Sequence, residues 1–189
     1  MNGQKDVSIT QQRIIDAFIC LLKDIGFGRI RVRHILELAN VNRSTFYHYY
    51  LDKYHLLEYL EDVFFEGMRK IEDENIESVD NITKVEVLNT APLFLYYYEQ
   101  RDMLSIFIND EGCSSRFFGR LNKEISKLWA DKDLLDRLLV PKHYAISAVL
   151  GMSNGLLIAW AKGGFAESPE AFTKIFNQVL AVVPLGIFS

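Results

Sequence analysis

The chain has 189 residues, of which 49% are hydrophobic and 13% aromatic, and its net charge is −4. These values predict a well-packed soluble protein of one or two domains, and the negative charge alone argues against a nucleic-acid partner. The polar N-terminus excludes a secretory signal, and no apolar run approaches the roughly 18 residues that span a bilayer. We therefore expect a cytoplasmic protein with no membrane partner.

The charge is divided unevenly along the chain. Residues 1–55 carry eight Lys/Arg and five Asp/Glu, a net charge of +3, whereas residues 56–189 carry a net charge of −7. A basic N-terminal part on an acidic remainder is expected when only the N-terminal part contacts phosphates. The total charge argues against nucleic-acid binding, but the positive charge of residues 1–55 is compatible with it.

The first predicted helix begins near Thr10, a candidate N-cap, and ends at Gly26, as a C-terminal glycine should. A second helix runs from about Val32 to Asn40. Arg31 and Arg33 at its start oppose the helix dipole, a conflict that a nearby DNA phosphate would remove; the alternative is two exposed arginines that tolerate a small penalty. The first helix carries an apolar stripe with a period of about 3.6 residues, formed by Ile14, Phe18, Leu21, Leu22 and Ile25.

The segment from Val41 to Lys53 predicts the turn and recognition helix of a helix-turn-helix unit. Asn42 can cap this helix, which runs to about Tyr50, and Phe46 and Tyr50 share one face that should pack inward. The remaining side chains are rich in hydrogen-bonding groups and lack acids, as a surface that meets phosphates and base edges requires. The alternative is a solvated helix with some aromatic surface. The outward or flanking residues are Arg43, Ser44, Thr45, Tyr47, His48 and Tyr49.

Within this unit, each outward residue has an expected contact. Ser44, Thr45 and Tyr49 are the candidates for base edges, and Arg43 can serve a base or a phosphate. Lys53 follows the capping candidate Asp52 at the start of the next helix, where free N–H groups and a lysine make a phosphate site. Tyr47 and His48 are the other candidates for phosphate contact.

The run VNRSTFYHYYLDKYHLL resembles the recognition segment of the TetR (tetracycline-repressor) family of bacterial regulators. Arg31 stands where this family commonly has threonine, Asn40 where it often has glycine, and Leu51 where it usually has a polar residue. The resemblance implies phosphate contacts at the start of the second helix, where Arg31 and Arg33 lie. The matching residues are Val41, Thr45, Phe46, Tyr47, Tyr50, Lys53, Leu56 and Leu57.

The resemblance also implies an all-α fold of about nine helices. Residues 1–55 would form a three-helix helix-turn-helix DNA-binding domain, and residues 56–189 a helical ligand-binding and dimerisation domain. The periodicity predicts a fourth helix from about Lys53 to Glu77, roughly 35 Å long. The later helices are predicted at about Ile82–Gln100, interrupted by Pro92, then Met103–Ile108, Ser114–Ala130, Lys142–Lys162 and Ser168–Pro184, with a loop at Asp110–Gly112.

Large aromatic side chains are concentrated on the middle helices. In the TetR family this region often encloses a small-molecule pocket, and tyrosine supplies an apolar wall with a polar tip. A plain aromatic core is the alternative. The candidate pocket residues are Phe94, Tyr97, Tyr98, Met103, Phe107, Phe117 and Trp129.

The last two helices are amphipathic, and the first of them has Gly151 and Gly155 four residues apart. Small residues on one face let two helices approach closely. The TetR resemblance implies that these helices pair with those of a second subunit, whereas the alternative is that both apolar stripes are used within one subunit. The candidate interface residues are Ile146, Leu150, Gly151, Gly155, Phe172, Phe176 and Val179.

The sequence contains no phosphate-binding glycine loop, nucleophile elbow or metal-ligand pair, so we expect neither an enzyme nor a cofactor. Cys20 and Cys113 have no ligand-like spacing, which predicts a reduced protein with Cys20 on a buried helix and Cys113 as the candidate for exposure. We expect a homodimeric DNA-binding regulator, most simply a repressor that responds to a small molecule. The alternative is an activator or co-regulator whose C-terminal domain binds a partner protein.

Overall fold

A computed structural model describes residues 8–76, 90–130 and 140–182. These residues form nine α-helices and one 3-10 turn, without strands, which confirms the all-α prediction. They fall into two compact units, one ending at Phe64 and the other beginning at Phe65. The elements are α1 (Ile9–Ile25), the 3-10 turn (Phe27–Arg29), α2 (Val32–Ala39), α3 (Arg43–Tyr49), α4 (Lys53–Ile76), α5 (Ala91–Glu99), α6 (Arg101–Asn109), α7 (Glu111–Ala130), α8 (Lys142–Lys162) and α9 (Pro169–Val182).

The N-terminal cap of α1 is Ser8 rather than the predicted Thr10. Ser8 has an extended backbone, and its hydroxyl accepts a hydrogen bond from the Gln11 N–H at 3.1 Å. Thr10 lies inside the helix, where its side chain cannot cap. Gly26 ends α1 with a φ of 74°, as predicted, and Phe27 then returns to the core at 4% exposure.

The two cysteines have the opposite environments from those predicted. Cys20 is exposed on the outer face of α1, and Cys113 is fully buried in the first turn of α7. The polar neighbours of Cys113 suggested a loop at Asp110–Gly112, and that loop is absent. Instead, α7 begins at Glu111, and the Asp110 carboxylate accepts from the Gly112 N–H at 2.8 Å, which turns Cys113 inward.

The long helix α4 ends at Ile76, one residue before the predicted end. In the N-terminal unit it buries Leu56, Leu57, Leu60 and Phe64, but Val63, predicted in the same stripe, is 45% exposed. In the C-terminal unit it buries Phe65 and Met68. The sequence analysis missed Glu61, a carboxylate with no exposed surface.

In the C-terminal unit, Pro92 lies in the first turn of α5 and so begins the helix. The segments predicted as helix at 82–89 and left open at 131–139 lie outside the described residues. Helix α8 has the predicted bounds, and Ser168 caps α9 by accepting from the Ala171 N–H at 3.3 Å. Trp160 of α8 stacks on Phe172 of α9 with 4.1 Å between ring centroids, which joins these two helices within the subunit.

Helix α8 is also more apolar than expected. It contains a stretch with a mean hydropathy of 1.4, so by length and composition alone it could cross a membrane, and only 22% of that stretch is buried. The prediction that no segment reaches this threshold is therefore wrong. Helix α8 packs against α6, α7 and α9, and its remaining face is exposed. The core of this subunit therefore does not account for the apolar residues on its exposed face.

A close approach between α4 and α5 depends on Gly67. A Cβ atom at this position would lie 2.7 Å from Cζ of Tyr96. Burial of this tyrosine raises its pKa to about 12. The hydroxyl therefore stays protonated against α4 even at a pH at which an exposed tyrosine ionises.

Gly67→Ala is expected to displace Tyr96 and to lower the free energy of unfolding by about 1–3 kcal/mol, the usual cost of overpacking. Gly119→Ala is the matched control, because nothing lies within 4 Å of an added Cβ on α7. That variant should gain up to about 1 kcal/mol from helix propensity. Urea unfolding measures both changes, and equal shifts in the two variants would contradict the proposed role of the Tyr96 contact.

Candidate nucleic-acid interface

Helix α3 is fixed at its start by the side chain of Asn42, as predicted. The Asn42 Oδ1 atom accepts from the Thr45 N–H at 2.8 Å, from the Thr45 hydroxyl at 2.8 Å and from the Ser44 hydroxyl at 2.7 Å. Asn40, just before it, has a φ of 49°, the left-handed conformation for which glycine is usual and asparagine is tolerated. The turn is therefore compatible with asparagine at this position.

Two aromatic side chains seat α3 on the core. Phe46 has no exposed surface and Tyr50 is 2% exposed, which confirms that both face inward. Burial raises the pKa of Tyr50 to about 12, although the hydrogen bond from Gln11 opposes this shift. That bond joins the Gln11 Nε2 atom to the Tyr50 hydroxyl at 3.1 Å.

The outward face of α3 is polar and contains no acid. Arg43, Ser44 and His48 are exposed, and Tyr47 is 43% exposed. The Arg43 guanidinium lies 5.6 Å from the centre of the Tyr47 ring, within the range of a cation–π contact. A cation, two hydroxyls and an imidazole thus stand together on one short helix.

Two predicted contact residues are only half-exposed and already have partners. The Thr45 hydroxyl donates to Asn42, and the Tyr49 hydroxyl lies 2.9 Å from the Ser8 hydroxyl at the start of α1. A base contact by either residue stays a prediction, and it would compete with these bonds.

Arg31 and Arg33 are exposed at the start of α2, and the His34 ring faces the Arg31 backbone with one nitrogen and the Arg33 side chain with the other. The His34 Nδ1 atom is 3.3 Å from the Arg31 N–H, and its Nε2 atom is 3.4 Å from the Arg33 Nε. A neutral imidazole has only one acceptor nitrogen, so only one of these two contacts is a hydrogen bond at a time. The start of α2, the helix before α3, thus carries two exposed guanidinium groups.

Lys53 has a structural role that the sequence analysis missed. Its ammonium donates to the carbonyls of Phe27 at 2.8 Å and Ile30 at 2.9 Å, and it lies 4.5 Å from the centre of the Phe27 ring. These bonds join the start of α4 to the connection between α1 and α2. The predicted phosphate contact of Lys53 remains a prediction beside this role.

Lys53→Met is expected to lower the free energy of unfolding by about 2 kcal/mol, because it removes charged hydrogen bonds to two carbonyls while keeping most of the side-chain volume. Lys70→Met, at an exposed position on the same helix, is the control and should change stability by less than about 0.5 kcal/mol. Denaturant unfolding distinguishes them; matching midpoints would contradict the anchoring role.

The predicted pocket residues are mostly packed against one another. Phe94, Tyr97, Phe107 and Phe117 are buried, and the Phe107 and Phe117 rings stack at 5.0 Å. Tyr98 and Met103 are half-buried, and the Trp129 side chain lies outside the described residues. A surface cleft of about 330 Å³ lies instead in the N-terminal unit, lined by Arg13, Asp16, Ala17, Cys20, Leu38 and Ala39.

The predicted interface residues divide into two groups. Gly151 and Gly155 are exposed, and Ile146, Leu150 and Val179 are half-buried. Phe172 and Phe176 are buried within the subunit at 4% and 8% exposure, where both rings contact Phe94. Both rings are thus covered within the subunit, and their contact with a second subunit stays a prediction.

Residues 14–60 match the family model described as bacterial regulatory proteins of the TetR family. This match identifies the N-terminal region as similar to that of TetR-family regulators. The matched segment contains α2 and α3 and most of the N-terminal unit. The proteins that this model describes are transcriptional regulators, in agreement with the expectation of a regulator rather than an enzyme.

Individual relatives match the chain over most of its length. It is 25% identical over 174 residues, 87% of the chain, to a Bacillus subtilis protein described as an uncharacterized HTH-type transcriptional regulator, YxbF, and it spans 43% of that relative's length. The fold is similar to that of a TetR-family regulator from Syntrophomonas wolfei (TM-score 0.69, 18% identity, 94% and 95% of the two chains). It is also similar to that of a TetR regulator from Streptococcus agalactiae (TM-score 0.65, 22% identity, 90% and 92% of the two chains).

Proposed function

We propose that this chain is a sequence-specific DNA-binding transcriptional regulator that acts in the bacterial cytoplasm as a homodimer on a palindromic operator. The observation that carries the proposal is the exposed, acid-free face of α3, held outward by Phe46 and Tyr50. Such a face can place hydrogen-bonding groups against base edges in a major groove about 12 Å wide. Arg31 and Arg33 supply further cations for phosphates, which position a protein on the duplex without reading its sequence.

The homodimer is supported by the outer surface of α8. Tyr144 is 64% exposed, and Ala148, Gly151, Gly155 and Ala159 are exposed along the same helix. Helical spacing places these residues in a strip without charges, which a second copy of the same strip can cover. Two copies of α3 would then read successive major grooves about 34 Å apart.

Arg43→Ala is expected to lower the magnitude of the salt slope of DNA binding by about one, because one cation–phosphate contact is lost. Arg43 is exposed, so the free energy of unfolding should change by less than about 0.5 kcal/mol. Fluorescence anisotropy at several salt concentrations measures the slope.

Lys23→Ala is the control for Arg43→Ala. Lys23 lies in the last turn of α1, roughly 22 Å along the helix axis from Ser8, whose hydroxyl contacts the end of α3. Its removal should leave the slope unchanged. An unchanged slope in Arg43→Ala as well would count against Arg43 as a phosphate contact.

Control by a small molecule follows the TetR resemblance, and repression is the simplest outcome. Helix α4 is continuous from Lys53 to Ile76 and contributes core residues to each of the two units. A ligand that binds the C-terminal unit more tightly in one arrangement of the dimer shifts the population toward that arrangement. Operator affinity then changes with the spacing of the two copies of α3.

A second candidate is an activator or co-regulator whose C-terminal unit binds a partner protein. The observation that favours it is the burial of four predicted pocket residues, in which Phe94 contacts Tyr97 and Phe107 stacks on Phe117. A thermal-shift screen discriminates between the two. Stabilisation by a small molecule supports the ligand-responsive regulator, and stabilisation by a partner protein alone supports the second candidate.

A further inference from the structure

The first turns of α1 form polar contacts with the end of α2 and the turn before the recognition helix α3, and with the C-terminal end of α3. The Arg13 Nη2 atom donates to the Ala39 carbonyl at 2.6 Å and to the Asn40 carbonyl at 3.1 Å, in the turn that leads into α3. At the other end of α3, the Ser8 hydroxyl lies 2.9 Å from the Tyr49 hydroxyl. The Gln11 side-chain amide donates to the Tyr50 hydroxyl at 3.1 Å. We refer to Ser8, Gln11 and Arg13 as the α1 anchor residues.

These contacts matter because α3 is short. A helix of seven residues is not stable alone, so its orientation depends on what surrounds it. Phe46 and Tyr50 attach it to the core through apolar packing, which is non-directional and tolerates small rotations of the helix. Hydrogen bonds are directional, so the bonds to the turn before α3 and to the end of α3 restrict rotation of the helix about its axis and its tilt.

Orientation affects the two kinds of DNA contact differently. A long cationic side chain can follow a phosphate when the helix shifts, whereas paired hydrogen bonds to a base edge need fixed geometry. Loss of orientation should therefore weaken binding to the operator more than binding to unrelated DNA. The two affinities together report a positioning role that a stability measurement alone would miss.

We propose that the α1 anchor residues are positioning residues for sequence recognition, acting through the turn before α3 and the end of α3. The proposal rests on the proposed DNA-binding function. It gives Tyr49 a different role from the predicted base contact, because the Tyr49 hydroxyl holds the end of α3 against Ser8. The exposed side chains of Arg43 and Ser44 stay the candidates for base contact on α3, although the Ser44 hydroxyl donates to Asn42 at 2.7 Å and Arg43 can serve a phosphate instead.

Arg13→Met tests the proposal at the start of α3. It is expected to lower operator affinity about tenfold, which corresponds to one impaired base contact, and to leave affinity for a scrambled duplex within about twofold. Arg13→Lys keeps a cationic donor and should recover part of the operator affinity. Gln12→Ala is the control, since Gln12 bonds to Asp16 on the same helix and should keep the wild-type ratio of the two affinities.

A double-mutant cycle with Ser8→Ala and Tyr49→Phe tests the other end. Ser8→Ala also removes the cap of α1, so if Ser8 acts through Tyr49 the double variant loses no more operator affinity than Ser8→Ala alone. If Tyr49 contacts a base independently of Ser8, the losses in the double variant add, which overturns the proposal at this end of α3. Hydrogen exchange of the α3 amides should be faster in Ser8→Ala than in wild type, and it requires no DNA.

The outcomes distinguish this proposal from the function on which it rests. A wild-type protein without preference for any duplex sequence contradicts both. A wild-type preference that Arg13→Met leaves unchanged, with α3 amide exchange also unchanged in Ser8→Ala, overturns the positioning role alone. A fall in the thermal stability of Arg13→Met, with no change in the ratio of operator affinity to scrambled-duplex affinity, would also overturn the proposal, because the α1 anchor residues would then only stabilise the fold.

Discussion

Phe46→Ala is expected to lower the free energy of unfolding of the N-terminal unit by about 3–5 kcal/mol, the range for removal of a buried aromatic ring. Phe46 has no exposed surface, and its ring meets Tyr47 at 5.5 Å and Tyr50 at 6.0 Å between centroids. Since a small domain is stable by only about 5–15 kcal/mol, the loss removes a large part of that stability and lowers the denaturant midpoint of unfolding. Circular dichroism during denaturant unfolding measures this change.

Tyr47→Ala, one residue further along α3, is the matched control for Phe46→Ala. Tyr47 is 43% exposed, so its truncation should cost less than about 1 kcal/mol in stability while weakening DNA binding. The two variants should therefore separate folding from DNA contact. A Phe46→Ala protein with wild-type stability would mean that this ring does not seat the helix.

Gly151→Arg is expected to prevent the proposed dimer from forming while each subunit stays folded. Nothing lies within 4 Å of a Cβ atom added at Gly151, and arginine is a better helix former than glycine, so the subunit itself should not lose stability. A charged side chain on the uncharged strip of α8 would, however, prevent a second copy from packing there. Operator affinity should fall by about 10²–10⁴-fold, because binding of one α3 no longer holds a second α3 at high effective concentration near the other half-site.

Gly119→Arg is the control for the dimer variant. Gly119 is exposed on α7 with no atom within 4 Å of an added Cβ, so it receives the same residue in another helix and should remain dimeric. Light scattering measures the mass of each variant. A wild-type monomer that binds lipid vesicles would contradict the dimer and assign the apolar face of α8 to a membrane surface.

The helix-turn-helix unit could be predicted from sequence because its signals are local. The Asn42 cap and the four-residue spacing of Phe46 and Tyr50 depend on residues within one helix or turn, and both are present in the structure. The bounds of α8 were equally clear, because Gly163 and Gly164 interrupt the helix at its end. The residues that DNA would meet follow from the same spacing.

Contacts between distant residues could not be predicted. Lys53 bonds to backbone carbonyls more than 20 residues away, as does Arg13, and any residue supplies such an acceptor, so no side-chain pattern indicates them. For the apolar stripe of α9, the sequence does not tell which neighbour covers it. Phe172 and Phe176 repeat as an interface stripe would, but only the structure shows that Phe94 covers them within the subunit.

The most direct test measures binding of the wild-type protein to duplex DNA from the region flanking its own gene, against a scrambled duplex of the same composition. Fluorescence anisotropy between about 50 and 200 mM salt gives both affinities and the salt slope. The outward face of α3 predicts a preference of at least about 10³-fold for one palindromic segment, with affinity that falls as salt rises. Equal affinity for both duplexes, or no binding at low salt, would contradict the assignment of α3 as a DNA-reading helix.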